Sequence, residues 1–443
     1  MKKYIFFVVG VMCTLLSHTA YAIDLNKSDA NIIGHVLEKK TGEHLPYMTV
    51  ALKGTTIGTM TDGTGHYFLK NLPEGEFILS VSAVGYKPQE RKVTLKRGKT
   101  LEENFELEED MVALDGVVVT ANRNETARRL APTLVKVVTP KLFDMTNSHT
   151  LSQGLVFQPG VRVENDCQNC GYSQVRINGM DGKYTQILID SRPIFSALAG
   201  VYGLEQIPAN MIERVEVVRG GGSALFGSSA IAGTVNIITK EPLRNSGSFA
   251  HSISNFDGSG SFDNNTTLNL SLVSSDNKMG AYIYGQNRHR SAWDSNGDSF
   301  SELPKLKNQT VGVNAYYRLS PYSKLNLEYH HMEEFRRGGN RFDLPPHIAE
   351  DANLNGSGEP GLVEQIEHSI NTGGLKFSAF SKDQKHAFNA YASAQHIVRD
   401  SYYSAYGHTT DFTGVLGAQY IYHFDKLFFM PSDLTGGVEF NDD

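Results

Sequence analysis

From residue 241 to residue 443 the chain alternates apolar and polar residues in segments of about ten, separated by turns. Leu268, Leu270 and Leu272 alternate with polar neighbours, and the segments 281–284, 311–317, 325–329, 375–380, 388–394, 416–422 and 435–440 repeat the pattern. A period of two predicts strands that carry one apolar face each. The connections also alternate: 274–279, 320–324, 382–385 and 425–433 are short, whereas 287–308, 336–370 and 399–411 are long. Short turns at one end and long loops at the other predict about nine antiparallel strands of a transmembrane β-barrel.

Earlier segments have other rhythms. Short apolar runs at 32–36, 49–52, 67–69 and 77–81 are broken by Gly, Pro, Asn and Asp, which predicts a small β-sandwich over 31–108. The extended run Leu114-Asp115-Gly116-Val117-Val118-Val119-Thr120-Ala121 has high strand propensity and no evident partner in sequence, so it is suited to pairing with another sheet's edge. An ordinary buried strand is the other reading of so short a run. Residues 130–240 form a further domain, whose α+β character rests on the resemblance given below. The fold class expected is therefore all-β dominated: a sandwich, an α+β domain and the start of an antiparallel barrel.

The N-terminus changes the picture of where the chain goes. Lys2 and Lys3, an apolar run from Ile5 to Leu16 and the small-residue pattern Ala20-Tyr21-Ala22 predict a secretory signal peptide over 1–22. The run is shorter than the roughly 20 apolar residues of a spanning helix. A net charge of −7 with both signs mixed along the chain offers no polybasic surface for nucleic acid. Against one Trp, the 20 Tyr, 23 Phe and 42 Gly suit a β-rich chain with tight turns.

Candidate chemistry is sparse. After signal cleavage Cys167 and Cys170 are the cysteines that remain, and an oxidising compartment favours a loop-stapling disulfide between them. Their spacing also fits redox or metal motifs, but no second pair completes a zinc site. His35 and Glu38 have the H-x-x-E spacing of zinc carboxypeptidases, as do His331 and Glu334; neither lies in a scaffold that would supply a third ligand. The glycines from Gly220 to Gly227 lack the Gly-Lys-Ser/Thr ending of a phosphate-binding loop. Glu213 and Glu216 each have an arginine neighbour and read as structural ion pairs. No catalytic grouping, no metal site and no cofactor is expected, and the chain is not read as an enzyme.

Several motifs carry family resemblances. Ile33-Gly34-His35-Val36, Thr61-Asp62-Gly63-Thr64-Gly65-His66-Tyr67-Phe68 and Val84-Gly85-Tyr86 resemble the carboxypeptidase regulatory-like domain, a transthyretin-like sandwich. Residues 114–121 resemble the TonB box. Leu151-Ser152-Gln153-Gly154-Leu155, Val175-Arg176-Ile177-Asn178-Gly179, Ile212-Glu213-Arg214-Val215-Glu216-Val217-Val218-Arg219-Gly220 and Gly233-Thr234-Val235-Asn236-Ile237-Ile238-Thr239-Lys240 resemble the plug of TonB-dependent outer-membrane receptors, of the Bacteroidetes type.

The resemblance implies an outer-membrane location and energy-dependent import of a scarce large ligand of the siderophore, haem or cobalamin class. Implied partners are the periplasmic transducer TonB, outer-membrane lipid and that ligand. Asp115, Gly116, Val117, Val118, Val119, Thr120 and Ala121 would engage TonB. Arg192, Phe195, Leu198 and Tyr202 would meet ligand from apical plug loops, with plain packing against the barrel as the other reading. His330, His331, His347 and His408 are expected on or near outer loops. Alternatives are a passive pore or adhesin, or a signalling receptor without transport. Family barrels resemble 22 strands, so an odd count ending at Asp443 reads as a C-terminally truncated sequence.

Overall fold

The computed structural model describes residues 30–83, 86–109, 118–119, 126–127, 135–167, 172–193, 207–221, 226, 230–258, 260–351, 361–383, 385–427 and 430–442. The predicted signal peptide lies outside them.

The first module is a sandwich. Strands β1 (Ala30–Glu38), β2 (Thr49–Leu52), β3 (Gly58–Met60), β4 (His66–Leu72), β5 (Gly75–Ser82), β6 (Gln89–Leu95), β7 (Thr100–Glu102) and β8 (Phe105–Leu107) form two four-stranded sheets. One has the order β4-β1-β7 with β8 also on β1; the other runs β3-β2-β5-β6. Alternate residues Ile32, Val50, Leu52, Leu69, Leu79, Val81 and Leu107 close the core between them, as period-two strands dictate. Gly34 is required where β1 meets the chain entering β8: a Cβ there would sit 1.8 Å from the Glu103 carbonyl oxygen. At the module's exit Glu108 accepts from both Lys39 (2.6 Å) and Lys87 (3.1 Å), and these two bonds hold its carboxyl down to about 2.

Two short pieces follow, β9 (Val118–Val119) and β10 (Thr126–Ala127), which pair antiparallel. The plug then opens with β11 (Val135–Val138), α1 (Pro140–Met145) and α2 (Leu151–Leu155). Its remaining strands are β12 (Val161–Cys167), β13 (Tyr172–Ile177), β14 (Thr185–Ile189), β15 (Ile212–Arg219) and β16 (Gly233–Thr239). The central sheet has the order β11-β15-β16-β14, with β14 parallel to β16, and β12-β13 is a separate hairpin. Val215, Val217, Val235 and Ile237 pack with Leu151, Leu155 and Ile177 beneath it.

The third part is one antiparallel sheet of nine strands in sequence order: β17 (Ser246–Asn255), β18 (Phe262–Val273), β19 (Met279–Arg290), β20 (Lys305–Ser320), β21 (Ser323–Gly339), β22 (Val363–Phe380), β23 (His386–Tyr403), β24 (Tyr406–Leu427) and β25 (Met430–Asp442). The expected count of nine is met, and among the described residues β17 and β25 do not pair, so the sheet is open. Its two faces are inverted relative to a soluble sheet. Leu268, Leu270, Leu272, Val311, Leu327, Leu375, Phe412 and Leu416 are exposed, while Arg288, Asn308, Thr310, Thr372, Gln395 and Thr413 are buried. An apolar outer face and a polar inner face are what a lipid-embedded wall around a polar interior requires.

Two expectations about the wall need correction. Residues 399–411 do not form a long loop: β23 and β24 run on and join through Ser404 and Ala405, with Ser404 at φ +58. Asp400 pairs with His408 at 2.6 Å, and the Tyr402 and Tyr406 rings pack edge to face across the hairpin. His330 and His331 lie in the middle of β21, away from its outer end, whereas His408 lies in β24 beside the outer hairpin and His347 sits in the long connection after β21, in the single helical turn α3 (Pro346–Ala349).

Candidate functional site: the plug seated against the wall

The plug sheet touches the inner face of the wall chiefly through polar groups, and the turn after β14 is the centre of that contact. Asp190 and Ser191 both adopt positive φ, +46 and +66, in a tight turn that folds Arg192 back onto Ile189. Two non-glycine residues in this region cost conformational energy. Side chains of β16 compensate. Thr239 donates from its backbone N and its hydroxyl to Asp190 (3.0 and 2.8 Å), and Asn236 accepts from Ser191 N at 2.9 Å while donating to the Ser191 hydroxyl at 3.1 Å.

The turn aims Arg192 at the wall. Its guanidinium is 4% exposed and lies 2.5 Å from Glu328 of β21 and 3.7 Å from Asp190. Burial works against the Arg192 charge, but Glu328 and Asp190 outweigh it and raise its pKa. Burial and the Glu328 carboxylate push the Asp190 carboxyl up. One guanidinium therefore compensates two carboxylates in a site with little water. Neighbouring contacts are also hydrogen bonds: Asn210 donates to Asn269 and to the Gly285 carbonyl, Tyr282 donates to the Asn210 carbonyl, Gln286 donates to the His149 carbonyl, and Asn314 donates to the Lys240 carbonyl. Lys324 of the wall pairs with Glu241 at 2.9 Å, where the plug passes into β17. The apolar part is small, with Tyr282 and Tyr284 of β19 joining the plug core.

Arg192 was expected at the apex facing ligand. The structure places it in this plug–wall ion pair, buried; Phe195, Leu198 and Tyr202 lie outside the described residues. So do Cys170 and the side chain of Cys167, whose backbone ends β12 opposite Tyr172. Within the coupling segment, Val118 and Val119 are described and pair with Ala127 and Thr126, a partner the sequence did not reveal. Asp115, Gly116, Val117, Thr120 and Ala121 lie outside the described residues. Glu216, read as one half of an ion pair, is fully buried and bonded by Arg214 at 2.9 Å. Glu328 was missed because a single carboxylate in an alternating strand carries no signal of its own; its inward register position is what gives it meaning.

The sandwich also meets the wall. Thr56 donates from its backbone N to the Pro321 carbonyl (2.9 Å) in the β20–β21 turn, its own carbonyl accepts from Arg318 (2.7 Å), and Arg244 stacks over Tyr47.

Comparisons with known proteins agree with this architecture. Residues 32–119 match the CarboxypepD_reg-like domain, and residues 127–234 match the TonB-dependent Receptor Plug Domain. The chain is 32% identical over 229 residues to a vitamin B12 transporter of Vibrio vulnificus, an alignment covering 45% of this chain and 37% of the relative. A vitamin B12 transporter of Photobacterium profundum is 37% identical over 128 residues, covering 28% of this chain and 20% of the relative. Among solved structures, the ferric enterobactin receptor of Pseudomonas aeruginosa matches with a TM-score of 0.57 at 19% identity, over 73% of this chain and 50% of that one. The siderophore receptor PirA of Acinetobacter baumannii matches at 0.58 and 19%, over 73% and 49%. The chain thus spans well under half the length of these curated relatives and about half of the solved receptors. It carries a CarboxypepD_reg-like domain and the plug domain of TonB-dependent receptors, followed by a wall with the fold of the solved receptors.

Proposed function

We propose that this chain serves TonB-dependent import of a scarce, large ligand across the outer membrane, of the cobalamin or metal-chelate class. The observation that carries the reading is a plug sheet held in a lipid-facing wall mainly by hydrogen bonds and ion pairs, contacts that water can replace at modest cost once it enters. Strand order supports a pulling mechanism. The coupling segment precedes β11, and β11 is an outer strand of the plug sheet, so tension applied at Asp115–Ala121 loads an edge strand before the core. The β9–β10 ribbon holds two residue pairs, few enough for TonB to displace by adding its own strand.

The relatives are transporters and receptors, and no enzymatic role is proposed. Similarity to vitamin B12 transporters makes cobalamin the first ligand to test, with haem and ferric siderophores beside it. In cells expressing the receptor from its native gene, deleting residues 115–121 is expected to abolish accumulation of the ligand while leaving surface binding intact. Normal accumulation in that variant would sink the mechanism and favour a passive pore or adhesin. Accumulation intact with no energy dependence would do the same.

A further inference from the structure

The N-terminal sandwich rests on the end of the wall that carries the short turns, and from that contact we propose that the sandwich is a releasable brake on the plug. While docked it shares any pull applied at residues 115–121, and after it lets go the whole pull reaches β11. The inference rests on the coupling reading of residues 115–121. Two tight connections make the contact: residues 53–57, between β2 and β3, meet Pro321 and Tyr322, between β20 and β21. Thr56 donates to the Pro321 carbonyl from its backbone N at 2.9 Å and from its hydroxyl at 3.3 Å. Tyr322 packs against the sandwich core, and Arg244, where the chain passes from plug to wall, stacks 4.7 Å from the centre of the Tyr47 ring.

Arg318, near the end of β20 and 8% exposed, is the hub of this contact. It donates to the Thr56 carbonyl of the sandwich at 2.7 Å and to the Asn277 carbonyl in the turn between β18 and β19, and its guanidinium lies 4.6 Å from the centre of the Tyr316 ring. Lys324 reaches the same ring at 6.0 Å and pairs with Glu241, so the docking site and the plug's exit share one patch of wall. Most of these contacts are hydrogen bonds and cation–ring stacks. Such bonds exchange for water bonds at modest net cost, which makes the docking reversible.

Chain length supplies the mechanical argument. Five residues, 110–114, join the sandwich to the coupling segment, and thirteen, 122–134, join that segment to β11. Fully extended, these stretches span at most about 17 Å and about 45 Å. A coupling segment drawn away from the wall is therefore held on two sides, by a short tether ending on the sandwich and a longer one ending on the plug's edge strand. With the sandwich docked, the wall takes part of the pull through Thr56, Arg318 and Tyr322. Once undocked, the sandwich moves with the segment and resists nothing, and β11 carries the full load.

The test is constant-force spectroscopy on the full chain in detergent, held by a tag in the outer hairpin at Ser404 and Ala405 and pulled by a handle ligated to a tag inserted after Gly116. Thr56→Cys with Pro321→Cys puts two thiols across a backbone hydrogen bond, within reach of a disulfide that locks the sandwich down. Single-cysteine variants treated alike account for Cys167 and Cys170. The lifetime before the plug opens should be at least about tenfold longer in the oxidised pair than in the same molecules after reduction, and about tenfold shorter than wild type in Arg318→Met, which loses a hydrogen bond from a charged group. Tyr47→Ala, a change on the sandwich side, should shorten it as well. Equal lifetimes in the oxidised and reduced pair, wild-type lifetimes in both side-chain variants, or failure of the two thiols to cross-link in the folded chain overturns the brake. Neither ligand nor TonB is present, so that result stands apart from success or failure of the proposed import.

Discussion

Replacing Arg192 by Met should loosen the plug at the turn after β14 more than any other single change at the plug–wall contact. The substitution keeps much of the side chain's bulk but leaves Glu328 and Asp190 without the guanidinium that sits 2.5 and 3.7 Å from them. Removing one partner of a buried ion pair costs about 3–5 kcal/mol, because the other charge stays buried. At about 1.4 kcal/mol per tenfold, local opening becomes a hundred to a few thousand times more frequent. Hydrogen exchange of the amides in β14, its turn and β16 reads that opening directly in the full chain. Glu328→Gln alone should also open the turn, and the double variant should cost less than the sum, with a coupling of about 1–3 kcal/mol. The pH dependence has a definite sign. Asp190's folded pKa is already raised, and loss of Arg192 removes the group that lowers it. A raised carboxyl contributes stability at acid pH that is lost as pH rises through the folded value, so protection in Arg192→Met should fall between acid and neutral pH. Single-variant effects under about 0.5 kcal/mol, or strict additivity, would refute a shared ion pair at this site.

Other outcomes follow from the same geometry. Gly34→Ala drives a methyl into the Glu103 carbonyl and should cost the sandwich at least about 1–3 kcal/mol, seen as a lower melting temperature of the module by exchange or proteolysis; an unchanged melt would mean β1 and the β8 approach separate freely. Glu108's carboxyl should titrate near 2 by carbon NMR, so its clasp is intact above the ordinary carboxylate range and is lost only as pH falls through that value. Lys39→Ala with Lys87→Ala should return the titration to the ordinary range, and no movement would mean the two lysines do not hold it. On the wall, Leu375→Lys faces lipid and should cost up to about 2–4 kcal/mol depending on depth, whereas the apolar Leu375→Phe should cost much less; equal costs would contradict the lipid-facing assignment.

The wall was the most legible part because its signal repeats. Each strand needs one apolar face for lipid, and eight alternating segments with alternating loop lengths leave little freedom for another fold. Legibility failed where the strands outrun the membrane. Around residues 399–411 both faces are wet, so Asp400, Ser401, His408 and Thr409 lack an apolar stripe although the backbone pairing continues without a break. His330 and His331, expected on or near an outer loop, sit mid-strand because β21 runs on to Gly339; His330 takes an inward register position and His331 bonds Asn371 at 3.0 Å on the opposite face. In the sandwich, β6 escaped notice because Gln89, Glu90, Arg91 and Lys92 precede its two buried residues, Val93 and Leu95.

The plug's design follows from two needs that conflict. Under the proposed import it would have to seat firmly against the polar inner face of the wall, yet leave when pulled. An apolar contact would meet the first need and defeat the second, because exposing it to water costs about 25 cal/mol for every square ångström. Hydrogen bonds such as those from Asn210, Gln286 and Asn314 exchange for water bonds at a net cost of about 0.5–1.5 kcal/mol each, so they hold while undisturbed and release when wetted. The buried Arg192–Glu328 pair is the exception, expensive to break from one side alone. A local event that reaches both charges together, admitting water to the turn, removes that cost for both at once. The tight turn at Asp190 and Ser191, held at positive φ by Thr239 and Asn236 of β16, links that pair to the plug sheet, so variants that remove the Thr239 and Asn236 bonds are expected to weaken the Arg192–Glu328 contact as well.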